Sequence, residues 1–144
     1  MAWPSSYGYA PPKCRGVSES VVRAFIDVAG ASGEVYRFHR AELAALPHLA
    51  GNFLFTRFGL DGPVVVCCGS SNDLWAARAL WGAAEAHFAD AVYLRLDIVR
   101  QRRSEVVSDI AARHQPAIVA EEFDQTGRAQ VSATPEAEIA RVAV

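Results

Sequence analysis

Adjacent cysteines are the first residues in this sequence whose type could do chemistry. Cys67 and Cys68 close a continuous apolar run that is typical of a buried strand. Successive side chains on a strand face opposite ways, so at most one thiol would reach a cleft. No neighbouring cation and no helix start is identifiable that would lower the pKa of either thiol. The pattern therefore favours two small buried side chains over a nucleophile or a redox pair.

A pair of carboxylates could hold a cation. Glu105 and Asp109 are four residues apart in a predicted helix, so both could face one ion. A solvated acidic face is the favoured interpretation, because carboxylates near a helix start are stabilised by the helix dipole. The four histidines are scattered without the spacing of a metal site. The sequence thus predicts neither a metal site nor a cofactor.

Positive charge is concentrated in and after one predicted strand. The residues concerned are Arg95, Arg100, Arg102, Arg103 and Arg113. Such a group could contact phosphates, and Tyr93, on the same strand face as Arg95, could stack a base. The alternative is a solvated loop balanced by nearby acidic residues, which the net charge of −2 and the single lysine favour.

The composition limits the class of protein. With 144 residues and 51% hydrophobic composition, the chain can bury one core. Its 14 basic and 16 acidic residues argue against a strongly basic nucleic-acid coat. No apolar run approaches the roughly 20 residues that cross a bilayer, and the first residues lack a secretory signal. Three cysteines do not make a disulfide framework, which favours the reducing cytoplasm. Together these observations predict one cytoplasmic domain with no membrane partner.

Helices and strands must position these residues, and the hydrophobic pattern predicts them. It predicts a helix from Ser18 to Gly30 and a hairpin of two strands over residues 51–58 and 64–68. A helix after residue 73, a strand over residues 91–99 and a helix from Ser104 to Pro116 follow.

These elements define an expected fold and domain organisation. We expect an α+β fold: a small antiparallel three-stranded sheet flanked by helices, with an extra N-terminal helix. Residues 1–17 are predicted to be a flexible arm and residues 18–119 a single domain. Residues 120–144 are predicted to be an acidic tail.

Four short motifs at the joints between these elements occur in the order found in a known superfamily. Gly51-Asn52-Phe53 stands on the first hairpin strand and Cys67-Cys68-Gly69 on the second, with 13 residues between Phe53 and Cys67. A polar stretch then leads through Asp73-Leu74 into a helix, and Asp109-Ile110 followed by Pro116 completes the series. Over roughly residues 35–119 the chain resembles the GIY-YIG nuclease superfamily.

This resemblance implies phosphodiester hydrolysis assisted by tyrosine, arginine and a metal-holding glutamate. In this chain each of these positions holds a residue that lacks the required group. The two tyrosine positions are Phe53 and Cys67, the arginine position is Ala77, and the glutamate position is Val107. A valine, for example, offers no oxygen ligand to a metal ion. The resemblance therefore predicts a catalytically inactive member of the superfamily.

A scaffold that has lost its chemistry is expected to act through binding. We expect a protein-interaction or regulatory module. Its candidate contact surfaces are the N-terminal arm, the acidic tail and the former cleft around Phe53, Cys67, Trp75 and Arg78. Trp75 lies one step from the apolar face of its predicted helix, so it could be exposed at an interface, although a core or surface anchor is the favoured interpretation. Its partner is expected to be another protein.

Two other functions are compatible with the same residues. One is a non-catalytic nucleic-acid binder that uses the arginines from Arg95 to Arg103. The other is an atypical metal-dependent endonuclease in which Arg78, Glu105 and Tyr93 take over the lost roles. Salt-sensitive binding would favour the first, and metal-dependent cleavage would favour the second.

Overall fold

The computed structural model describes residues 23–124 and 130–131. Seven strands make up the sheet: β1 Phe25–Ala29, β2 Val35–Ala41, β3 Gly51–Gly59, β4 Gly62–Ser71, β5 Ala91–Leu96, β6 Ile118–Glu121 and β7 Gln130–Val131. Two 3₁₀ helices, Leu43–Ala45 and Leu74–Leu80, and two α-helices, α1 Trp81–Glu85 and α2 Arg100–His114, complete the elements in these residues. None of these helices is both long and apolar enough to cross a membrane.

The strands form one mixed sheet in the order β1-β2-β5-β3-β4-β6-β7. All neighbouring strands are antiparallel except β4 and β6, which are parallel. Because β4 and β5 both run antiparallel to β3, the strands β4, β5 and β6 all point the same way. Their carboxyl ends therefore meet at one end of the sheet, close to the start of α2.

The predicted fold, a small three-stranded sheet flanked by helices, is wrong. Strand β3 pairs antiparallel with β4 on one side and β5 on the other, but β1 and β2 extend the sheet beyond β5, and β6 and β7 extend it beyond β4. The predicted β-hairpin is confirmed as β3 and β4, which pair from Gly51 and Ser71 to the turn at Gly59 and Gly62. Gly62 has a φ of +114°, a conformation that a side chain would strain.

The extra N-terminal helix is also wrong for the residues that the structure describes. Residues 25–29 form β1, with Phe25 and Asp27 exposed and Ile26 and Val28 buried. An apolar–polar alternation with a period of two is the pattern of a strand. The apolar residues around β1 also fit the spacing of a helix, so the sequence alone does not distinguish a helix from a strand here. Ser18, the predicted start of the helix, lies outside the described residues.

Two hydrophobic cores lie on opposite faces of the sheet. One face packs against the segment from Leu74 to Glu85, and its largest buried side chains include Phe53, Phe55 and Leu74. The other face packs against α2, through residues such as Phe38 and Ile110. Because both faces are covered, central strands such as β3 are apolar on both sides and not alternating.

The described part of the chain continues past the predicted domain boundary. That boundary, between residues 119 and 120, falls inside β6. Phe123 is only 2% exposed and belongs to the core beneath the 3₁₀ helix. The predicted arm, residues 1–17, and most of the predicted tail lie outside the described residues.

Candidate functional site

The four degenerate motif positions do not share a cleft. Phe53, Cys67 and Ala77 are fully buried in one core, whereas Val107 is buried in the other core under α2. The sheet lies between these two sets. The predicted contact surface around Phe53 and Cys67 is therefore wrong, because neither side chain reaches solvent.

Close packing fills the space where the resemblance would place an opening. A Cβ atom added to Gly69 would lie 2.3 Å from a ring carbon of Phe53 and 2.6 Å from the carbonyl oxygen of Ala120. Atoms do not approach so closely, so the glycine is required by packing against its neighbours. At this point of the hairpin the glycine has a structural role, independent of any reaction.

The two cysteines are the small buried side chains that the sequence predicts. Cys67 and Cys68 are free thiols in opposite cores. Burial raises the pKa of Cys68 to about 12 and the pKa of Cys67 well above its ordinary value. Since the thiolate is the nucleophile, neither cysteine is activated in this fold.

Two arginines, one at the end of β5 and one in α2, converge on one buried carboxylate. Asp97 accepts hydrogen bonds from Arg95 Nη1 at 3.0 Å and from Arg102 Nε at 3.2 Å. Burial tends to raise the pKa of Asp97, but the Val99 N–H and the two arginines outweigh it, so the pKa lies below its ordinary value. The carboxylate is ionised and pairs both cations.

A second pair ties α2 to the end of β6. Arg103 is 3% exposed and donates from Nε and Nη2 to the two carboxylate oxygens of Glu122, at 3.0 and 2.8 Å. Its Nη1 donates to the carbonyl oxygen of Asp97 at 3.1 Å. The hydrogen bond to Glu122 raises the pKa of Arg103. We call Arg95, Asp97, Arg102, Arg103 and Glu122 the arginine network.

Most of the arginines predicted to contact phosphates are already paired with carboxylates of the same chain. Arg95 and Arg102 are paired with Asp97, and Arg103 is buried against Glu122. Arg100 is exposed and forms no ion pair within the described part of the chain. Tyr93 is 2% exposed and lies in the core under α2, so the prediction that it stacks a base is wrong. Strand β5 is covered on both faces, so the alternation of apolar and polar residues along it does not distinguish a buried face from a face exposed to solvent.

The predicted carboxylate pair is divided between two roles. Asp109 accepts hydrogen bonds from Ser32 Oγ at 2.6 Å, from the Ser32 N–H at 2.8 Å and from Tyr36 Oη at 2.7 Å. The bond from the Ser32 hydroxyl is the largest cause of its lowered pKa. Glu105 is exposed and accepts from Gln101. Asp109 thus fastens α2 to the turn between β1 and β2.

The remaining predicted binding residues meet on the 3₁₀ helix Leu74–Leu80. Asp73 caps this helix by accepting from the Trp75 N–H at 3.1 Å. Because a 3₁₀ helix has three residues per turn, Trp75 and Arg78 lie directly above one another. The guanidinium carbon of Arg78 lies 3.9 Å from the centroid of the Trp75 ring. Leu74 points inward and is fully buried, which leaves this face of the helix at the surface.

His48 extends the same surface from a neighbouring loop. Its ring centroid lies 5.2 Å from the Trp75 ring, and its Nδ1 lies 3.1 Å from Asp73 Oδ1. The Leu74 N–H donates to the carbonyl oxygen of Leu49 at 2.8 Å, which holds this loop beside the helix. We call His48, Trp75 and Arg78 the tryptophan patch. His48 was not predicted from the sequence, since nothing along the chain signals this contact between loop and helix.

Arg78 differs from the arginines of the network in its charge environment. It is exposed, and within the described residues it forms no ion pair with a carboxylate. A guanidinium stacked on an aromatic ring keeps its N–H groups directed outward in the plane of the fork. The tryptophan patch therefore offers an aromatic surface and an available cation side by side.

No protein-family model matches this chain, and no curated protein and no solved structure is significantly similar to it. The likeness to the GIY-YIG superfamily thus stays a prediction that depends on four short motifs.

Proposed function

We propose that this protein is a non-catalytic binding module that docks a partner protein on the tryptophan patch. The observation that carries the proposal is the stack of the exposed Arg78 on the partly buried Trp75, at 3.9 Å, on a helix whose opposite face is anchored in the core. Tryptophan and arginine are the residues most enriched among the hot spots of protein interfaces. A pair already held in place loses little conformational entropy on binding.

The charge distribution supports a protein partner over a nucleic acid. Three of the arginines expected to contact phosphates are paired with Asp97 or Glu122. The chain carries a net charge of −2, which repels a polyanion at long range. A base that stacks on Trp75 would compete with the guanidinium already on that ring.

The positions of the recruited residues speak against the atypical nuclease. Arg78 lies on the helix that covers one face of the sheet, and Glu105 lies on α2, which covers the other. Tyr93 is buried in the core beneath α2. A single phosphate has no route to all three groups, so a binding role is favoured.

Affinity capture from a lysate of the source cell tests this proposal, with the full chain as bait and with and without added nuclease. We expect a stoichiometric protein that survives nuclease treatment and whose affinity falls about thirtyfold with Arg78→Ala, the size of a hot-spot loss. Arg37→Ala is the matched control. Arg37 is stacked on Phe25 at the same distance of 3.9 Å, but it is already bound to Asp27.

Two outcomes would overturn the proposal. Recovery that vanishes with nuclease would transfer the function to nucleic-acid binding. Equal losses with Arg78→Ala and Arg37→Ala would show that the tryptophan patch is not the contact surface.

A further inference from the structure

The turn of the β3–β4 hairpin presents a leucine to solvent. Leu60 and Asp61 form this turn, between the paired residues Gly59 and Gly62, and the Leu60 side chain is fully exposed. Turns are usually made by glycine, proline, asparagine, aspartate and serine. Leu60 therefore stands where a polar residue is usual and contributes nothing to the core of its own chain.

A second exposed apolar residue, Phe88, follows α1 in an unusual backbone conformation. The Ala89 N–H donates to the carbonyl oxygen of Ala84 at 3.1 Å, and the Phe88 N–H donates to that of Glu85 at 2.8 Å. These are the two hydrogen bonds of a Schellman motif, which places Phe88 in the left-handed region, with a φ of +71°, where glycine is the usual residue. The Phe88 side chain is 79% exposed, so burial in its own core does not compensate for this conformation. A strained and exposed aromatic residue points to a contact outside the chain.

Phe88 lines an open groove of about 320 Å³ beside the start of β4. Val64 adds an apolar wall, and Arg57, His87 and His114 add a guanidinium and two imidazoles. Arg57 and Val64 are directly opposite each other in the pairing of β3 with β4, so both side chains project from one face of the sheet. No carboxylate is among the described residues that line the groove. We call it the hairpin groove, and its lining is apolar and basic.

The hairpin turn has the chemistry that complements this groove. It carries an apolar side chain, Leu60, next to a carboxylate, Asp61. Neither Asp61 nor Arg57 forms an ion pair with another described residue. The groove is at the small end of the range of ligand pockets, about 300–1,000 Å³, so it suits a two-residue turn better than a helix.

The turn and the groove of one chain are placed so that two copies can exchange them. Arg57 and Val64 lie three residues from Leu60 and Asp61, which is about 10 Å along the hairpin. The turn does not reach the groove of its own chain, because the pairing of β3 with β4 continues to Gly59 and keeps the hairpin extended. A twofold axis beside the hairpin brings each turn onto the groove of the other copy, and the assembly then closes as a dimer.

We infer that two copies of this chain form a symmetric dimer through their hairpins. Leu60 of each copy packs against Phe88 and Val64 of the other, and Asp61 pairs with Arg57. The tryptophan patch lies at the other end of β3, because Leu49, which holds the loop of that patch beside its helix, precedes Gly51. The length of β3 separates the two surfaces by about 25 Å. The inference therefore does not depend on the proposed function.

Sedimentation equilibrium of the full chain, between about 1 μM and about 1 mM, tests the dimer. The mass is expected to rise with concentration from that of one chain to that of two. Leu60→Asn should weaken the dimer about a hundredfold, because each dimer loses two buried leucines. Leu96→Asn is the matched control, since Leu96 is 58% exposed at the far end of β5 and pairs with Gly51. It should leave the association unchanged.

A pair of charge reversals separates the contact from folding. Arg57 and Asp61 are both exposed, so Arg57→Asp and Asp61→Arg should fold as the wild type does. Each variant alone should sediment as a single chain, because like charges then meet in both halves of the dimer. An equimolar mixture of the two should recover the dimer, since each contact again joins an arginine to an aspartate. The inference is overturned if the wild type stays a single chain at every concentration, if Leu60→Asn and Leu96→Asn associate alike, or if the mixture does not associate.

Discussion

The arginine network and the tryptophan patch use the same side chain in opposite surroundings. In the network, Arg103 is buried and holds Glu122 with two hydrogen bonds at 3.0 and 2.8 Å. In the patch, Arg78 is exposed and rests on Trp75 without a carboxylate among the described residues. The first arginine stabilises the fold, and the second is available to a partner. What an arginine can bind therefore depends on whether a carboxylate of its own chain already holds it.

The largest expected effect on the free energy of unfolding comes from removing Arg103. In Arg103→Ala, Glu122 loses its partner and the carbonyl oxygen of Asp97 loses a donor. We expect the free energy of unfolding to fall by about 3 kcal/mol, since breaking a buried pair leaves an uncompensated charge. Urea denaturation at pH 7 measures the change.

Arg78→Ala is the natural control for that experiment. An exposed side chain away from caps and buried networks changes the free energy of unfolding by about 0.5 kcal/mol or less. If the two variants lost equal stability, the division into structural and available arginines would be wrong.

A second prediction concerns the pH dependence that Asp97 gives to stability. Its pKa lies below the ordinary 3.8 because the Val99 N–H, Arg102 and Arg95 outweigh the effect of burial. A depressed folded-state pKa stabilises the fold above the ordinary value, and this stabilisation is lost as the pH falls through the folded-state pKa. Asp97→Asn should therefore lower the free energy of unfolding by about 2 kcal/mol at pH 7 and flatten its fall below about pH 4.

Asp27→Asn separates a buried carboxylate from an exposed one. Asp27 also pairs with an arginine, Arg37, and its pKa is lowered by that hydrogen bond, but both side chains are about half exposed. Exposed pairs contribute little because water screens them. Unfolding measured from pH 2 to pH 8 should leave the Asp27→Asn profile close to that of the wild type. A profile as flat as that of Asp97→Asn would show that burial of the carboxylate does not determine how strongly its ion pair contributes to the pH dependence of stability.

How far the fold could be predicted depended on whether the deciding interactions were local. The hairpin of β3 and β4 was predictable, because its apolar runs flank a turn rich in glycine. β1 was not, since the segment around Phe25–Ala29 fits both a helical and a strand period. The parallel pairing of β6 with β4 joins residues about 50 positions apart in the sequence, from Cys67 and Ile118 onward, and no local pattern encodes it.

The same limit applies to the candidate site. Trp75 and Arg78 were identifiable as neighbours because residues three positions apart lie on the same side of both an α-helix and a 3₁₀ helix. The burial of Arg103 was not, because arginine is almost never fully buried unless it is paired, and its partner Glu122 comes 19 residues later. The cations near β5 can thus be counted from the sequence, but the carboxylates that pair with them cannot be assigned from it.

The smallest predicted effect measures the contact within the tryptophan patch itself. A double-mutant cycle of Arg78→Ala and Trp75→Leu should give a coupling of about 0.5 kcal/mol in the free energy of unfolding, as expected for an exposed cation over an aromatic ring. Arg78→Lys should keep the charge and lose part of the coupling, because an ammonium does not stack as a planar guanidinium does.

The pair of Phe25 and Arg37 is the control for this small coupling energy. Arg37 lies over Phe25 at the same distance of 3.9 Å, so its cycle should give a similar or smaller coupling. If only Arg78→Ala then lowers capture of the partner, a guanidinium stacked on a ring is not by itself sufficient for capture, because both pairs possess one. One difference between the two pairs is that Arg37 already donates to Asp27. The free N–H groups of Arg78 would then be what the partner recognises, and a carboxylate would be the group that it brings.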